Sequence, residues 1–285
     1  MRVLNGLKLS FSIILVAGLV FSGGVFSMLL YAKMTGSDLG ILVPRADDQA
    51  YAAEMTGDGT HTAGGNRIQR QAEQSVEAAA VRPASALLSA PVIRQNPELP
   101  AGCEITSLTM LLQYSGISKN KLDLVPEMKT DPTPIRFDRS GSIQYWGNPN
   151  VGFVGDITRK QIGFGIFHAG IYPLLHKYIP SAVDLTGQPY EQLEDQIIKG
   201  FPVVVWTTID FQLPQKWVEW NTTTGTVRTT FSEHAVLLTG FDQSHVFVND
   251  PLSGQKNLKI DKKQFIATWE SMGKQALSYT GKAAH

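Results

Sequence analysis

The sequence predicts an α+β fold for the C-terminal two thirds of the chain, residues 90–275. A segment with helical periodicity comes early, at 103–114, whereas runs rich in β-branched residues come later, at 201–208, 233–241 and 245–249. Helices and strands are therefore segregated along the chain instead of alternating. This order favours N-terminal helices packed on an antiparallel sheet over a parallel α/β sheet.

The helices are predicted from apolar spacing and from the residues at their ends. Residues 103–114 carry a helical apolar stripe, and residues 119–128 are expected to form a second, shorter helix. Pro173 and Pro189 are each expected to open a further helix, because proline is favoured in a first helical turn. Residues 130–170 are rich in proline, glycine and asparagine and are expected to be irregular.

The predicted strands occupy the second half of the domain. Residues 201–208 (FPVVVWTT) have the composition of a buried strand. Residues 233–241 and 245–249 are separated by a three-residue turn and predict a hairpin. Residues 258–260 are expected to add one more strand, and Asp261 is expected to cap a final helix.

An uncharged N-terminal run predicts a membrane span. Residues 9–32 are 24 consecutive residues without a charge, preceded by Arg2 and Lys8. A helix of this length crosses a hydrocarbon core of about 30 Å, whereas a cleaved signal peptide has a shorter apolar run of about 7–15 residues. We therefore expect an uncleaved transmembrane signal anchor, with a cleaved signal as the alternative. The positive flank predicts a single-pass protein of the cell membrane. Residues 1–8 are expected in the cytoplasm, and the chain beyond the span is expected outside the cell.

Aromatic content divides the exported part of the chain. Residues 36–89 hold one aromatic residue among 54, whereas residues 90–285 hold 21 among 196. A segment so poor in large apolar groups cannot bury enough surface to offset its chain entropy. We therefore predict a flexible extracytoplasmic tether at 33–89, a folded domain at 90–275 and a short tail at 276–285.

Composition excludes several classes of function. The 25 basic residues balance 25 acidic residues, so the net charge is zero and no nucleic-acid partner is expected. The single cysteine, Cys103, excludes an intrachain disulfide and a zinc site built on several thiolates. The six histidines have no metal-like spacing, and nucleotide-binding motifs are absent from the sequence. We expect neither a metal nor a cofactor.

Three residues suggest nucleophilic catalysis. Cys103 stands at a predicted helix start, where the helix dipole and free N–H groups lower a thiol pKa. His234 opens one strand of the predicted hairpin and Asp250 follows the other, so both side chains are expected at the same end. A thiol, a histidine base and an acid that orients the histidine form a catalytic triad.

Each of these residues alone has a structural explanation. A lone cysteine is commonly buried filler, His234 lies in an apolar strand, and Asp250 precedes a proline as many turn residues do. The combination of all three, in this order and on these elements, favours catalysis. For Glu104, which follows the cysteine, two roles stay open: it caps the helix or faces the cleft, or it is a solvated acid of the first turn. Trp146 and Trp206 either line a cleft or belong to the core.

The local sequence around these residues resembles the bacterial leader-peptidase-like cysteine peptidases. These belong to the papain-like superfamily and include the bacteriocin double-glycine leader peptidases. The resemblance covers about 180 residues and is carried by five segments: PVIRQNPELPAGCEITSLTMLLQYSG (91–116), YWGNPNVGFVGD (145–156), GFPVVVWTT (200–208), HAVLLTGFD (234–242) and VFVNDPLSG (246–254). It implies a papain-like fold, with the nucleophile on the first helix packed against an antiparallel sheet.

The resemblance also implies roles for particular residues. Cys103 matches the nucleophile, His234 the base and Asp250 the orienting acid. Gln95 matches the glutamine that helps to form the oxyanion hole, although its spacing of eight positions from Cys103 is longer than in the leader peptidases proper. The chain carries no transporter or nucleotide-binding domain and is most similar to the stand-alone, membrane-anchored branch.

These observations predict an extracytoplasmic, membrane-anchored cysteine peptidase that hydrolyses a peptide or amide bond through a thioester acyl-enzyme. The expected partners are a peptide or protein substrate and, through the N-terminal helix, the membrane. Two alternatives stay open. One is a transpeptidase or amidase that acts on cell-wall peptides with the same triad. The other is a catalytically silent cell-surface binding module of the same fold.

Overall fold

The computed structural model describes residues 82–281, and the predicted cytoplasmic segment, signal anchor and most of the tether lie outside this range. Within this range, no helix is both long and apolar enough to cross a membrane. The helices are α1 (Cys103–Tyr114), α2 (Lys121–Leu124, continued by a 3-10 turn at Val125–Glu127), α3 (His168–Tyr178), α4 (Tyr190–Ile198) and α5 (Lys262–Ser271). The strands are β1 (Ala86–Leu87), β2 (Thr130–Asp131), β3 (Arg136–Phe137), β4 (Ile143–Tyr145), β5 (Phe153–Gly155), β6 (Gly163–Gly165), β7 (Ala182–Asp184), β8 (Val203–Thr208), β9 (Val218–Thr222), β10 (Gly225–Thr229), β11 (Glu233–Phe241), β12 (His245–Asn249), β13 (Leu258–Asp261) and β14 (Ala276–Tyr279).

The predicted α+β class is confirmed by a seven-stranded sheet flanked by helices. Its strand order is β13-β12-β11-β8-β14-β7, β1 adds to β11, and the pairings are antiparallel. The central strands β8 and β11 are buried along their whole length, which explains their nearly continuous apolar sequences. Two smaller sheets, β10-β9-β4-β3 and β2-β5-β6, complete the fold.

Hydrophobic cores lie on both faces of the main sheet because successive side chains of a strand alternate between its faces. Val204, Trp206, Ala235 and Leu237 share one core with residues of α1 and α3. Their neighbours along the same strands pack with α4 and α5 in the other core: Val203, Val205, Val236 and Leu238. The first core fixes α1, and therefore Cys103, against β11, the strand that carries His234.

Helix α3 differs from its prediction. The helix begins at His168, and Pro173 lies in its interior, so the expectation that Pro173 opens it is wrong. Proline lacks an N–H group, which costs the helix one backbone hydrogen bond at this point. The buried residues Ile171 and Leu174 pack in the core on both sides of the proline, and this burial outweighs the missing bond.

The segment 130–170 is more regular than predicted. It contains β2 to β6 and the first residues of α3. These strands have two or three residues each, and they pair with partners that include β9, far along the chain. Such short non-local strands leave no periodic pattern in the sequence, which explains why an irregular segment was expected.

Both boundaries of the domain extend beyond the predicted range of 90–275. Strand β1 pairs with Gly240 and Phe241, so at least residues 86–87 of the predicted tether join the main sheet. A Cβ at Gly240 would approach the Ala86 carbonyl oxygen within 2.7 Å, so glycine is needed for this pairing. Strand β14 lies between β8 and β7, which brings residues 276–279 of the predicted tail into the sheet. Both short strands are fixed by pairing with distant strands, which the composition of these segments does not show.

Candidate active site

Cys103 is the first residue of α1, as predicted, and its side chain is buried. The preceding Gly102 packs closely against the chain, because a Cβ there would lie 2.6 Å from Leu99 Cβ. Ser107, one turn into the helix, donates a hydrogen bond of 3.0 Å from Oγ to the carbonyl oxygen of Ala235. Since Ala235 directly follows His234, this bond connects the helix of the cysteine to the strand of the histidine.

His234 and Asp250 form a buried pair. The Nε2 atom of His234 lies 2.7 Å from Oδ1 of Asp250, and their side chains are 2% and 7% exposed. The expectation that strand β11 and the end of β12 bring these side chains together is therefore confirmed. With Nε2 directed at the carboxylate, Nδ1 is the ring nitrogen left for a second partner.

The carboxylate of Asp250 is held in its charged form. Burial alone would raise its pKa, but hydrogen bonds from His234, Ser253 and the backbone N–H of Leu252 outweigh burial and lower the pKa to about 2. Asp250 is therefore ionised at neutral pH. A charged carboxylate at this distance can fix the orientation of the imidazole and stabilise its protonated form.

The thiol of Cys103 is directed to an acid rather than to the histidine. Its Sγ donates a hydrogen bond of 3.3 Å to Oε2 of Glu104, and no hydrogen bond between Cys103 and His234 is present in residues 82–281. The hydrogen bond between thiol and imidazole that a catalytic triad uses is therefore not formed in this state of the described residues. The Cys103 side chain adopts a conformation in which its S–H group donates to a carboxylate, which is a stronger hydrogen-bond acceptor than a neutral imidazole.

The surroundings of the thiol favour its protonated form. Burial raises the pKa of Cys103 well above its usual range, and the nearby carboxyl groups of Glu104 and Glu233 raise it further. The backbone N–H of Ala235 acts in the opposite direction but is outweighed. The helix start alone does not set the charge of this thiol, contrary to what its position in the sequence suggests.

Glu104 is a buried acid, so the solvated role considered for it is wrong. Its side chain is 1% exposed, and Oε1 accepts a hydrogen bond of 2.7 Å from the backbone N–H of Ile166. Burial raises the pKa of Glu104 to about 7, although the hydrogen bonds to Ile166 and Cys103 and the charge of Arg159 reduce the increase.

Glu233 is a site residue that the sequence analysis missed. It lies directly before His234 and is buried beside Glu104 and Cys103, and one atom from each of these three side chains lies within 4.8 Å of the others. Its Oε1 atom has no hydrogen-bond partner in the part of the chain that the structure describes. Burial and the charge of Glu104 raise the pKa of Glu233 well above its usual range. The signal that could have identified Glu233 was an acidic residue within a strand that is buried along its whole length.

A glycine makes room for the two acids. A Cβ at Gly165, in β6, would lie 2.1 Å from Oε1 of Glu104 and 3.3 Å from Oε2 of Glu233. No other group of thiol, imidazole and carboxylate side chains within residues 82–281 is close enough to share one metal ion. Since the thiol and Glu233 favour their protonated forms and the thiol already donates to Glu104, we assign no metal to them.

Gln95 is anchored beside the site through its backbone. Its N–H donates to the carbonyl oxygen of Pro251, 2.9 Å away and next to Asp250, and its own carbonyl accepts from Lys121 at 2.9 Å. The side-chain Nε2 donates to the carbonyl oxygen of Pro100 at 2.9 Å. The side chain is buried, and its Oε1 atom has no partner in residues 82–281.

Two clefts lie near the start of α1 and the start of β11. One, of about 640 Å³, includes Phe137, Trp217 and Phe231, and Phe231 is three residues from His234. The other, of about 930 Å³, includes Trp146 and Ile157, and the carbonyl of Ile157 accepts a hydrogen bond from Ala101. Ile162 lines both clefts. Trp146 thus lines a cleft, whereas Trp206 is a core residue.

These features define an α+β protein with a helix-start cysteine and a buried histidine–aspartate pair, whose histidine lies on the strand that packs against the helix of the cysteine. A profile of the Peptidase_C39 like family matches residues 87–277, and the chain therefore belongs to that family. The predicted resemblance to leader-peptidase-like cysteine peptidases is confirmed at this level.

Two relatives share 40% sequence identity with the chain. One is the uncharacterized protein YvpB of Bacillus subtilis strain 168, matched over 182 residues that make up 64% of this chain and 70% of YvpB. The other is the crystal structure of a candidate C39-like peptidase from Bacillus anthracis, with a TM-score of 0.63, covering 70% of this chain and 99% of that chain. The second match agrees with the fold and the family.

Proposed function

We propose that this protein is a cysteine peptidase in which Cys103 is the nucleophile, His234 the base and Asp250 the orienting acid. The proposal rests mainly on the buried contact of 2.7 Å between His234 and Asp250. The strand that carries His234 is joined by a hydrogen bond to the helix of Cys103. Membership of the Peptidase_C39 like family supports it. We infer that the arrangement is papain-like, with the nucleophile on the first helix of the domain.

The proposed reaction begins with rotation of the Cys103 side chain towards Nδ1 of His234. The thiol proton moves to this nitrogen, and the thiolate attacks the carbonyl carbon of the scissile amide. The backbone N–H of Cys103 stabilises the oxyanion, assisted by the second N–H of Gln95 Nε2, the first being used by Pro100.

Collapse of the tetrahedral intermediate breaks the C–N bond. His234 gives its proton to the leaving amine, and the acyl group remains on Cys103 as a thioester. His234 then takes a proton from water, and the resulting hydroxide attacks the thioester. The carboxylic acid product leaves, and the thiol recovers its proton.

Cleavage of a peptide library by the purified protein tests this function. We expect cleavage by the wild-type protein and none by Cys103→Ser, because a serine hydroxyl in a thiol site is a far weaker nucleophile. Products that carry a new carboxylate indicate hydrolysis, whereas products joined to an added amine indicate a transpeptidase. Peptide binding without either product would contradict the proposal and favour the silent binding module.

We further propose that the domain lies outside the cell, on the stand-alone, membrane-anchored branch of the family. The uncharged run at 9–32 and its positive N-terminal flank support this location. Protease added to intact cells is expected to degrade the domain, while a cytoplasmic marker protein stays intact. Survival of the domain in intact cells, together with its degradation after lysis, would contradict the proposed topology.

A further inference from the structure

The site contains two buried acids that the triad does not use. We propose that Glu104 and Glu233 are positioning residues for the nucleophile, and that their carboxyl groups keep the Cys103 thiol protonated and hydrogen-bonded away from His234. This inference rests on the proposed function, because it concerns the readiness of the same thiol. It assigns to the acids control over when the Cys103–His234 pair forms.

The hydrogen bonds assign different states to the two acids. Both oxygens of Glu104 accept hydrogen bonds, one from Ile166 N–H and one from the thiol, which favours its carboxylate form. Among the described residues, Oε1 of Glu233 has no hydrogen-bond donor, so a charge there would be buried and unsolvated. Glu233 therefore carries the proton of the pair, and burial raises its pKa well above its usual range.

A charged Glu104 next to the thiol opposes the loss of the thiol proton. Like charges at this distance raise each other's cost of ionisation, and burial leaves little solvent to screen them. The carboxylate also gains a hydrogen bond only while the sulfur keeps its proton. Both effects favour the protonated thiol directed at Glu104.

The other charged groups around the start of α1 do not compensate for these acids. Arg159 lowers the pKa of both acids, yet the pKa values of both stay raised. Lys121 on α2 is paired with Glu98 at 2.7 Å, and His168 on α3 is paired with Asp184 at 2.7 Å. On β11, His234 is held by Asp250. Activation therefore requires the thiol to leave Glu104 and rotate to His234.

The residues around Glu104 and Glu233 make room for the two acids and hold Glu104 in place. Gly165 is the residue type that leaves room for both carboxyl groups, since a side chain there would collide with Glu104. Glu104 reaches across to Ile166 and so fixes its own carboxylate against the strand end. A backbone N–H and a glycine thus hold the two acids beside the thiol, and the hydrogen bond to Glu104 restricts the sulfur more than burial alone.

Alkylation by iodoacetamide across a range of pH tests this inference in the full-length protein. Cys103 is the only cysteine, so the rate reports on this thiol alone, and it is proportional to the thiolate fraction. We expect Glu104→Gln to move the midpoint of alkylation to lower pH by one unit or more, which raises the rate at neutral pH about tenfold. Glutamine keeps the acceptor for Ile166 while it removes the charge.

Glu233→Gln is expected to move the midpoint in the same direction by a smaller amount, because Glu233, once it loses its proton as pH rises, also raises the pKa of the thiol. The substitution removes no hydrogen bond of the described structure. The matched control is Glu191→Gln, an exposed acid on α4, whose midpoint is expected to equal that of the wild type. Thermal melts confirm that each variant is folded. If Glu104→Gln does not fold, the shift of the alkylation midpoint in Glu233→Gln tests the inference in its place.

An unchanged midpoint in the folded acid variants, or a shift to higher pH, would overturn the inference. The peptide-library assay separates this failure from failure of the proposed function. Normal cleavage with unshifted alkylation contradicts only the role of the acids. Shifted alkylation without cleavage supports the influence of the acids on the thiol and contradicts the peptidase.

Discussion

Cys103→Ala is expected to abolish peptide cleavage while the domain keeps its fold. In the proposed mechanism the thiol supplies the atom that attacks the carbonyl, and the described structure places no other cysteine at the site. Loss of the nucleophile of a triad reduces kcat by a factor on the order of 10⁶. Measured kcat/KM for the best library peptide should therefore fall to background.

The fold control for Cys103→Ala is its melting temperature. Removal of one sulfur from a buried site costs about 1 kcal/mol, a shift of a few degrees for a domain of this size. The variant should also still bind the substrate peptide, with a Kd close to the KM of the wild type. Residual cleavage above a few per cent of wild type would show that another group is the nucleophile.

His234→Ala is expected to reduce kcat/KM by about 10²–10⁴-fold, because the variant loses the group that takes and returns the proton. Asp250→Asn is expected to have a smaller effect, since the amide oxygen can still accept the hydrogen bond of 2.7 Å from His234. Kinetics of both variants at constant pH measure the difference. Equal losses in the two variants would show that the charge of Asp250, rather than its hydrogen bond, is essential.

Asp250→Asn also has a predicted effect on stability. The folded pKa of Asp250, about 2, lies below its usual value of 3.8, so its ionised form stabilises the folded state above about pH 4. This contribution, on the order of 2 kcal/mol, is lost as pH falls from about 4 to 2. The free energy of unfolding measured in urea should therefore be higher for the wild type than for Asp250→Asn above about pH 4, and this difference should disappear within that interval.

The sequence predicted the helix and the strands that carry the site residues better than it predicted the protonation and hydrogen bonds of those residues. Helix α1 and strands β11 and β12 have the predicted bounds, because apolar periodicity and a short turn define them locally. The pairing of His234 with Asp250 follows from hairpin geometry alone. The position of Cys103 at a helix start likewise needed only the apolar stripe and the glycine before it.

The elements that the sequence missed depend on distant partners. The hairpin of β9 and β10 and the short strands β2 to β6 are fixed by pairing with one another and not by their own periodicity. Glu233 was missed for the same reason. Its burial beside Glu104 depends on the packing of α1 against β11 and on the space at Gly165.

The state of the thiol was also beyond local reasoning. A helix N-terminus predicts a lowered pKa for the thiol, whereas burial, and after it the two buried acids, raise that pKa. Sequence position gave the identity of the candidate nucleophile, and only the three-dimensional neighbours gave its protonation and its hydrogen bond to Glu104.

Mass spectrometry of the protein after reaction with a peptide vinyl sulfone tests the central claim most directly. This probe forms a thioether with a cysteine thiolate that an imidazole activates, and Cys103 is the only cysteine in the chain. The account predicts one adduct per molecule on Cys103 of the wild-type protein at neutral pH and little or none on folded His234→Ala. Equal labelling of the two proteins, or no labelling of the wild type, would contradict it.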